Sequence, residues 1–173
     1  MTPRTGKSAP GASKAPKRKA APARRQRPIA EQKAALIDIA ELLQRVALES
    51  CNRHHSYSAV VKRGASAAEQ KAALAAVREC DEILDEAVDL YQLACLEETN
   101  HADDAWWHKA NMVWRAAKEY LRHNVASRRS TRFDNGHSRD HLRELSIEYE
   151  LEASALLHLR HATDSYKAVR AGG

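Results

Sequence analysis

His54, His123 and His141 are the residues of this 173-residue chain best suited to do chemistry together. Three imidazoles can hold zinc or another borderline metal. Their spacing is too wide for a local motif, so they meet only if the chain folds back on itself. Antiparallel helices hinged near residues 65, 100 and 133 bring all three close to one level, which makes them the metal candidates. Glu98-Thr-Asn-His101 has the E-x-x-H spacing used by di-iron bundles. Those bundles need a second such pair and two further inward carboxylates. Only Glu152 and His158 stand near each other late in the chain, six apart and on different faces of a helix. The plainer reading of His54, a seam histidine satisfied by a hydrogen bond, is therefore the stronger one.

Glu152 is the most informative single carboxylate. It falls between Tyr149 and Leu156, where the helical repeat calls for an apolar side chain. A carboxylate in a core has to be paired or protonated. The level estimate places Arg45 nearby, so a buried structural pair, Glu152 with Arg45, is expected. No nucleophile, partner carboxylate or glycine-rich phosphate loop accompanies it, which leaves catalysis behind binding. Trp106, Trp107 and Trp114 could line a pocket, but large aromatics on a helical seam read first as core. Cys51, Cys80 and Cys95 are an odd set without metal spacing, and read as free thiols of a reducing compartment.

The remaining chemistry is charge. Residues 1–28 contain nine Lys or Arg, no Asp or Glu, and all five prolines of the chain. The formal net charge of +5 thus divides into +9 on this tail and −4 on the rest. Lys14, Lys17, Arg18, Lys19, Arg24, Arg25 and Arg27 are its polyanion-contact candidates, because neutralising phosphates releases counterions. No aromatic lies among them, so base stacking is not expected and contact would be with backbone phosphate. Arg128, Arg129 and Arg132 form a second basic patch in what reads as a loop. The tail has the acid-free composition of a transit peptide. It lacks Leu, Ile, Val, Phe, Tyr and Trp, and so lacks the apolar face that such a helix needs.

These residues must be positioned by helices. After Pro28 nothing forbids helix, and Ala and Leu dominate while β-branched and aromatic residues are scarce. Four segments carry 3-4 apolar spacing, at about 29–63, 66–98, 101–127 and 138–170. In the first, Leu36 and Leu43 lead on through Ser50, His54, Tyr57 and Val61. The second runs Ala73, Val77, Cys80, Leu84, Ala87, Tyr91, Ala94. Its opposite face is acidic, with Glu79, Asp81, Glu82, Asp85, Glu86 and Asp89. The third runs Trp106, Ala110, Val113, Ala117, Tyr120, and the fourth Leu142, Leu145, Tyr149, Leu156, Leu159, Tyr166. Gly64 suits a left-handed cap, Ser66-Ala-Ala-Glu69 is a capping box, and Asn100 suits an N-cap. Asn135-Gly136 marks a turn, and Ser138 can cap the last helix.

The expected fold is all-α: an antiparallel up-down four-helix bundle, coiled-coil-like in its packing, behind a disordered basic N-terminal tail. The expected function is that of a non-enzymatic, cytoplasmic binding or scaffolding protein. Its tail would contact nucleic acid or another polyanion, with no cofactor and no membrane span, and with room for a protein partner. The alternative is a small-ligand or metal-binding bundle that uses the histidines, Glu152 and the tryptophans.

Overall fold

The computed structural model describes residues 29–97, 104–132 and 139–172. The described residues form four helices: α1 (Ile29–Lys62), α2 (Ala67–Glu97), α3 (Ala105–Arg132) and α4 (Arg139–Ala171). α1, of 34 residues, is about 50 Å long at 1.5 Å per residue. Side-chain bonds fix the direction of each neighbour. Along α1, Glu41 meets Arg170 and Asn52 meets Arg160, so α4 runs against it. Asp81 meets Tyr120 and Tyr91 meets Asn111, so α3 runs against α2. The result is an antiparallel four-helix bundle. α1 packs most closely on α2 and α3 on α4, while α2 and α3 pack least of the neighbouring pairs.

The first hairpin closes through two local devices that sequence chemistry dictates. Gly64 takes φ +68°, a left-handed conformation that glycine adopts without a Cβ penalty. Its N–H donates to the Val61 carbonyl at 3.0 Å and that of Ala65 to Val60 at 3.3 Å, a Schellman closure. Ser66 then caps α2. Its N–H donates to Glu69 Oε2 at 3.0 Å, and the Glu69 N–H donates back to Ser66 Oγ at 3.3 Å. The backbone bond from Ser66 holds the Glu69 carboxyl below its ordinary range.

The other junctions differ from expectation. Asp104, not Asn100, precedes the first turn of α3: its carbonyl accepts from the N–H groups of Trp107 and His108. Its carboxylate also pairs with Lys33 of α1 at 2.9 Å. α2 and α3 are separate helices. α3 runs five residues beyond its expected end, to Arg132. The run Ser127-Arg-Arg-Ser-Thr-Arg132 holds no glycine or proline, so nothing in it breaks the helix. Asn100, the Asn135-Gly136 turn and Ser138 lie outside the described residues.

The core follows the seams. Leu36, Leu43, Leu84, Tyr91, Tyr120, Leu159 and Tyr166 are fully buried. Alanines at 40, 47, 87, 110, 117, 155 and 162 are buried among them and let the backbones approach. Fully burying each large apolar side chain stabilises by about 1.5–3 kcal/mol. The core does not run the whole length. No residue of α1 after Cys51 is buried, none of α2 before Val77, and no described side chain of α4 before Ala155. Val61 (43 % exposed) and Tyr149 (51 % exposed) therefore leave the seams on which the sequence placed them.

Candidate functional site: a polar layer across the bundle

Where the apolar core stops, six polar side chains from all four helices meet. Ser50 and His54 come from α1, one turn apart on its core face. Asp81 comes from α2, Tyr120 and Asn124 from α3, Glu152 from α4. Asp81 is the hub and is only 4 % exposed. Its Oδ1 accepts the Ser50 hydroxyl at 2.9 Å and the Tyr120 hydroxyl at 2.9 Å. His54 Nε2 lies 3.6 Å from the same oxygen and is hydrogen-bonded to the Tyr120 hydroxyl. The His54 and Tyr120 rings meet edge to face at 5.4 Å. Asn124 Nδ2 donates to Tyr120 Oη at 3.1 Å and to Glu152 Oε1 at 2.8 Å.

Burial grades along this chain of bonds. Ser50, Asp81, Tyr120 and Asn124 are buried, whereas His54 and Glu152 are half-buried. Burial, reinforced by the adjacent Asp81 charge, pushes the Tyr120 hydroxyl far above its ordinary range, so it stays protonated and serves as a donor. With its own proton donated toward Asp81, the Tyr120 oxygen is left to accept from His54 Nε2–H. Each hydroxyl is thus spent on holding a buried carboxylate. Ser50 faces Asp81 and has no bond to His54, so it is not an activated nucleophile. The thiols are no better placed: burial raises Cys51 to about 11 and also raises Cys80 and Cys95. The layer ties all four helices together through hydrogen bonds.

Glu152 is half-buried and partnered, but not by Arg45. Arg45 is exposed on α1, between the buried positions Leu43 and Ala47, and makes no ion pair with Glu152. Arg45 lies between Glu41 and Asn52, which meet Arg170 and Arg160 of α4, so it stands level with that stretch and not with Glu152, whose carboxylate Asn124 of α3 reaches instead. Asp81 is the second correction. It belongs to the interior and not to the acidic outer face, because it lies four positions after Val77 and three before Leu84, at the edge of the core facing α3. Asn124 was missed altogether. Continuing the α3 seam one more step from Tyr120 would have found it.

Of the three metal candidates, the structure describes the side chains of two. His54 belongs to the polar layer, and His123 Nδ1 lies 3.8 Å from Glu148 Oε2 of α4. The side chain of His141 lies outside the described residues, as do Glu98 and His101. Among the described residues no three His, Cys, Asp or Glu side chains are grouped to hold a metal. Trp106 is buried, and Trp107 packs on it at 5.9 Å and on Tyr91 at 6.1 Å, as core. Trp114 carries Lys118 over its ring at 4.7 Å.

Arg128, Arg129 and Arg132 stand in the last turns of α3, a helix and not a loop, and their side chains lie outside the described residues. The tail candidates Lys14, Lys17, Arg18, Lys19, Arg24, Arg25 and Arg27 also lie outside them. The antiparallel order places the root of the tail, Ile29, and the Arg128–Arg132 turns at opposite ends of the bundle. No helix among the described residues is long and apolar enough to cross a membrane. The chain matches no protein-family profile, no curated protein and no solved structure. The fold is that of an antiparallel helical bundle crossed by a layer of hydrogen-bonded polar side chains.

Proposed function

We propose that this protein is a non-enzymatic binding bundle of the cytoplasm, in which the helices form a rigid mount and residues 1–28 contact nucleic acid or another polyanion. The separation of charge carries this reading: nine cations and no acid stand on 28 residues, beside a body of net negative charge. Such a segment binds phosphate backbones through counterion release and has no aromatic with which to read bases. The polar layer supports the non-enzymatic part, since the Ser50 and Tyr120 hydroxyls both donate to the buried Asp81. The test is fluorescence anisotropy with labelled duplexes of unrelated sequence. Affinity should fall with salt, with a log–log slope of about −0.9 per phosphate contacted, and should barely depend on sequence. Deleting residues 1–28 should abolish it. Binding that survives that deletion, or that resists salt, would sink the proposal.

A further inference from the structure

The outer surfaces of α2 and α3 carry opposite charge at the same height. Glu79, Glu82, Asp85, Glu86 and Asp89 are all exposed on α2, and among the described residues none of them is in an ion pair. Arg115, Lys118 and Arg122 are exposed on α3, spaced so that one face presents all three. The Asp81–Tyr120 and Tyr91–Asn111 bonds set the register between the two helices. By that register Arg115 and Lys118 stand level with Asp85, and Arg122 with Glu79. The rows lie side by side but do not bridge. Lys118 turns to Gln92 at 3.3 Å and over Trp114, and no ion pair joins α2 to α3 among the described residues. Glu119 is the single acid among residues 112–122, and residues 79–89 contain no Lys or Arg.

From this we infer that the α2–α3 face binds a second copy of the chain, the acidic row of each copy lying against the basic row of the other. A two-fold axis parallel to the helices lays α2 of one copy on α3 of its mate and keeps every height unchanged. Equal height of the two rows is what that symmetry requires, and a self-complementary patch is what an isologous dimer uses. An axis across the helices would instead set acid on acid. The face also has an apolar contribution at one end. Leu93 is 61 % exposed and Leu96 74 %, on the last turns of α2, where they would pack against the mate.

The competing occupant of the acidic row is the cationic tail, and the experiment separates the two. Sedimentation velocity of the full chain should show a concentration-dependent dimer at low salt that dissociates as salt is raised. R115E/K118E/R122E reverses the basic row, and E82K/D85K/D89K reverses the acidic row. Each variant should keep its helicity and be monomeric, and an equimolar mixture of the two should form a one-to-one heterodimer. Should a triple variant lose helicity, the pair Arg115→Glu and Asp85→Lys makes the same test. Deleting residues 1–28 should leave the dimer intact. A chain that is monomeric at every concentration in low salt overturns the inference. So does a dimer indifferent to the charge reversals, or reversed variants that fail to combine. Loss of the dimer on deleting residues 1–28 overturns it in favour of the tail.

Discussion

Asp81 carries the polar layer, because two hydroxyl groups end on one of its oxygens. Replacing it by Ala leaves the Ser50 and Tyr120 O–H groups buried without their acceptor. Each orphaned group costs about 1–3 kcal/mol, so Asp81→Ala should lower stability by about 2–6 kcal/mol. Asp81→Asn retains a carbonyl acceptor and should cost less; urea unfolding of the two variants checks the order. Cys51 gives a second residue-level outcome. Its thiol rises from 9.0 to about 11 because burial opposes the thiolate. The folded chain therefore holds that proton more tightly than the unfolded one. The resulting stability is whole below pH 9 and is lost as pH climbs from 9 toward 11, on the order of 3 kcal/mol in all. Urea midpoints across that range should fall more steeply for the wild type than for Cys51→Ala. Four of the six residues of the layer were legible from sequence: Ser50, His54 and Tyr120 sit on apolar seams, and Glu152 interrupts one. Asp81 was hidden among five acids that do face water. Which residue reaches Glu152 depends on the register between α3 and α4: the level estimate put Arg45 beside it, but Arg45 lies at the height of the α4 stretch between Arg160 and Arg170.

At the scale of elements, the α1–α2 connection was legible in full, because Gly64 and Ser66-x-x-Glu69 each have one structural solution there. Gly64→Ala should cost about 1 kcal/mol, since an L-residue at φ +68° is strained, although a Cβ would meet nothing within 4 Å. Thermal unfolding of the single variant measures it, and an unchanged midpoint would mean that the turn relaxes. The α2–α3 junction was less legible, since Asn100 and Asp104 are both acceptable caps by residue type. Only the backbone bonds from Trp107 and His108 to Asp104 distinguish them. The end of α3 was misread for a plain reason. Clustered Arg and Ser resemble a loop by polarity, but neither residue stops a helix.

For the whole molecule, charge and burial divide along the same line. Residues 1–28 carry the surplus cations and, apart from alanines and Met1, no side chain that a core would use. Their deletion should leave helicity and the thermal midpoint within a degree or two, by circular dichroism. A drop comparable to the loss of a core side chain would show that they dock on the bundle. Their removal is therefore a clean partner to the binding experiment: affinity should go while the fold stays. The bundle class was legible because each helix repeats apolar residues at 3-4 spacing. How far the core extends was not, since Val61 and Tyr149 fit that spacing and are still exposed.

The stretch of α1 and α2 beyond Cys51 and Val77 has caps at its tip and no buried side chain along its sides. It is held together by its own backbone bonds more than by the rest of the molecule. Such a segment can open without the remainder unfolding. Amide protons there should exchange with deuterium at rates independent of global stability, while those around Leu43, Leu84 and Tyr120 wait for the whole bundle to come apart. The polar layer is then the hinge line of the molecule, with a sub-global unfolding unit on one side and the slow-exchanging kernel on the other.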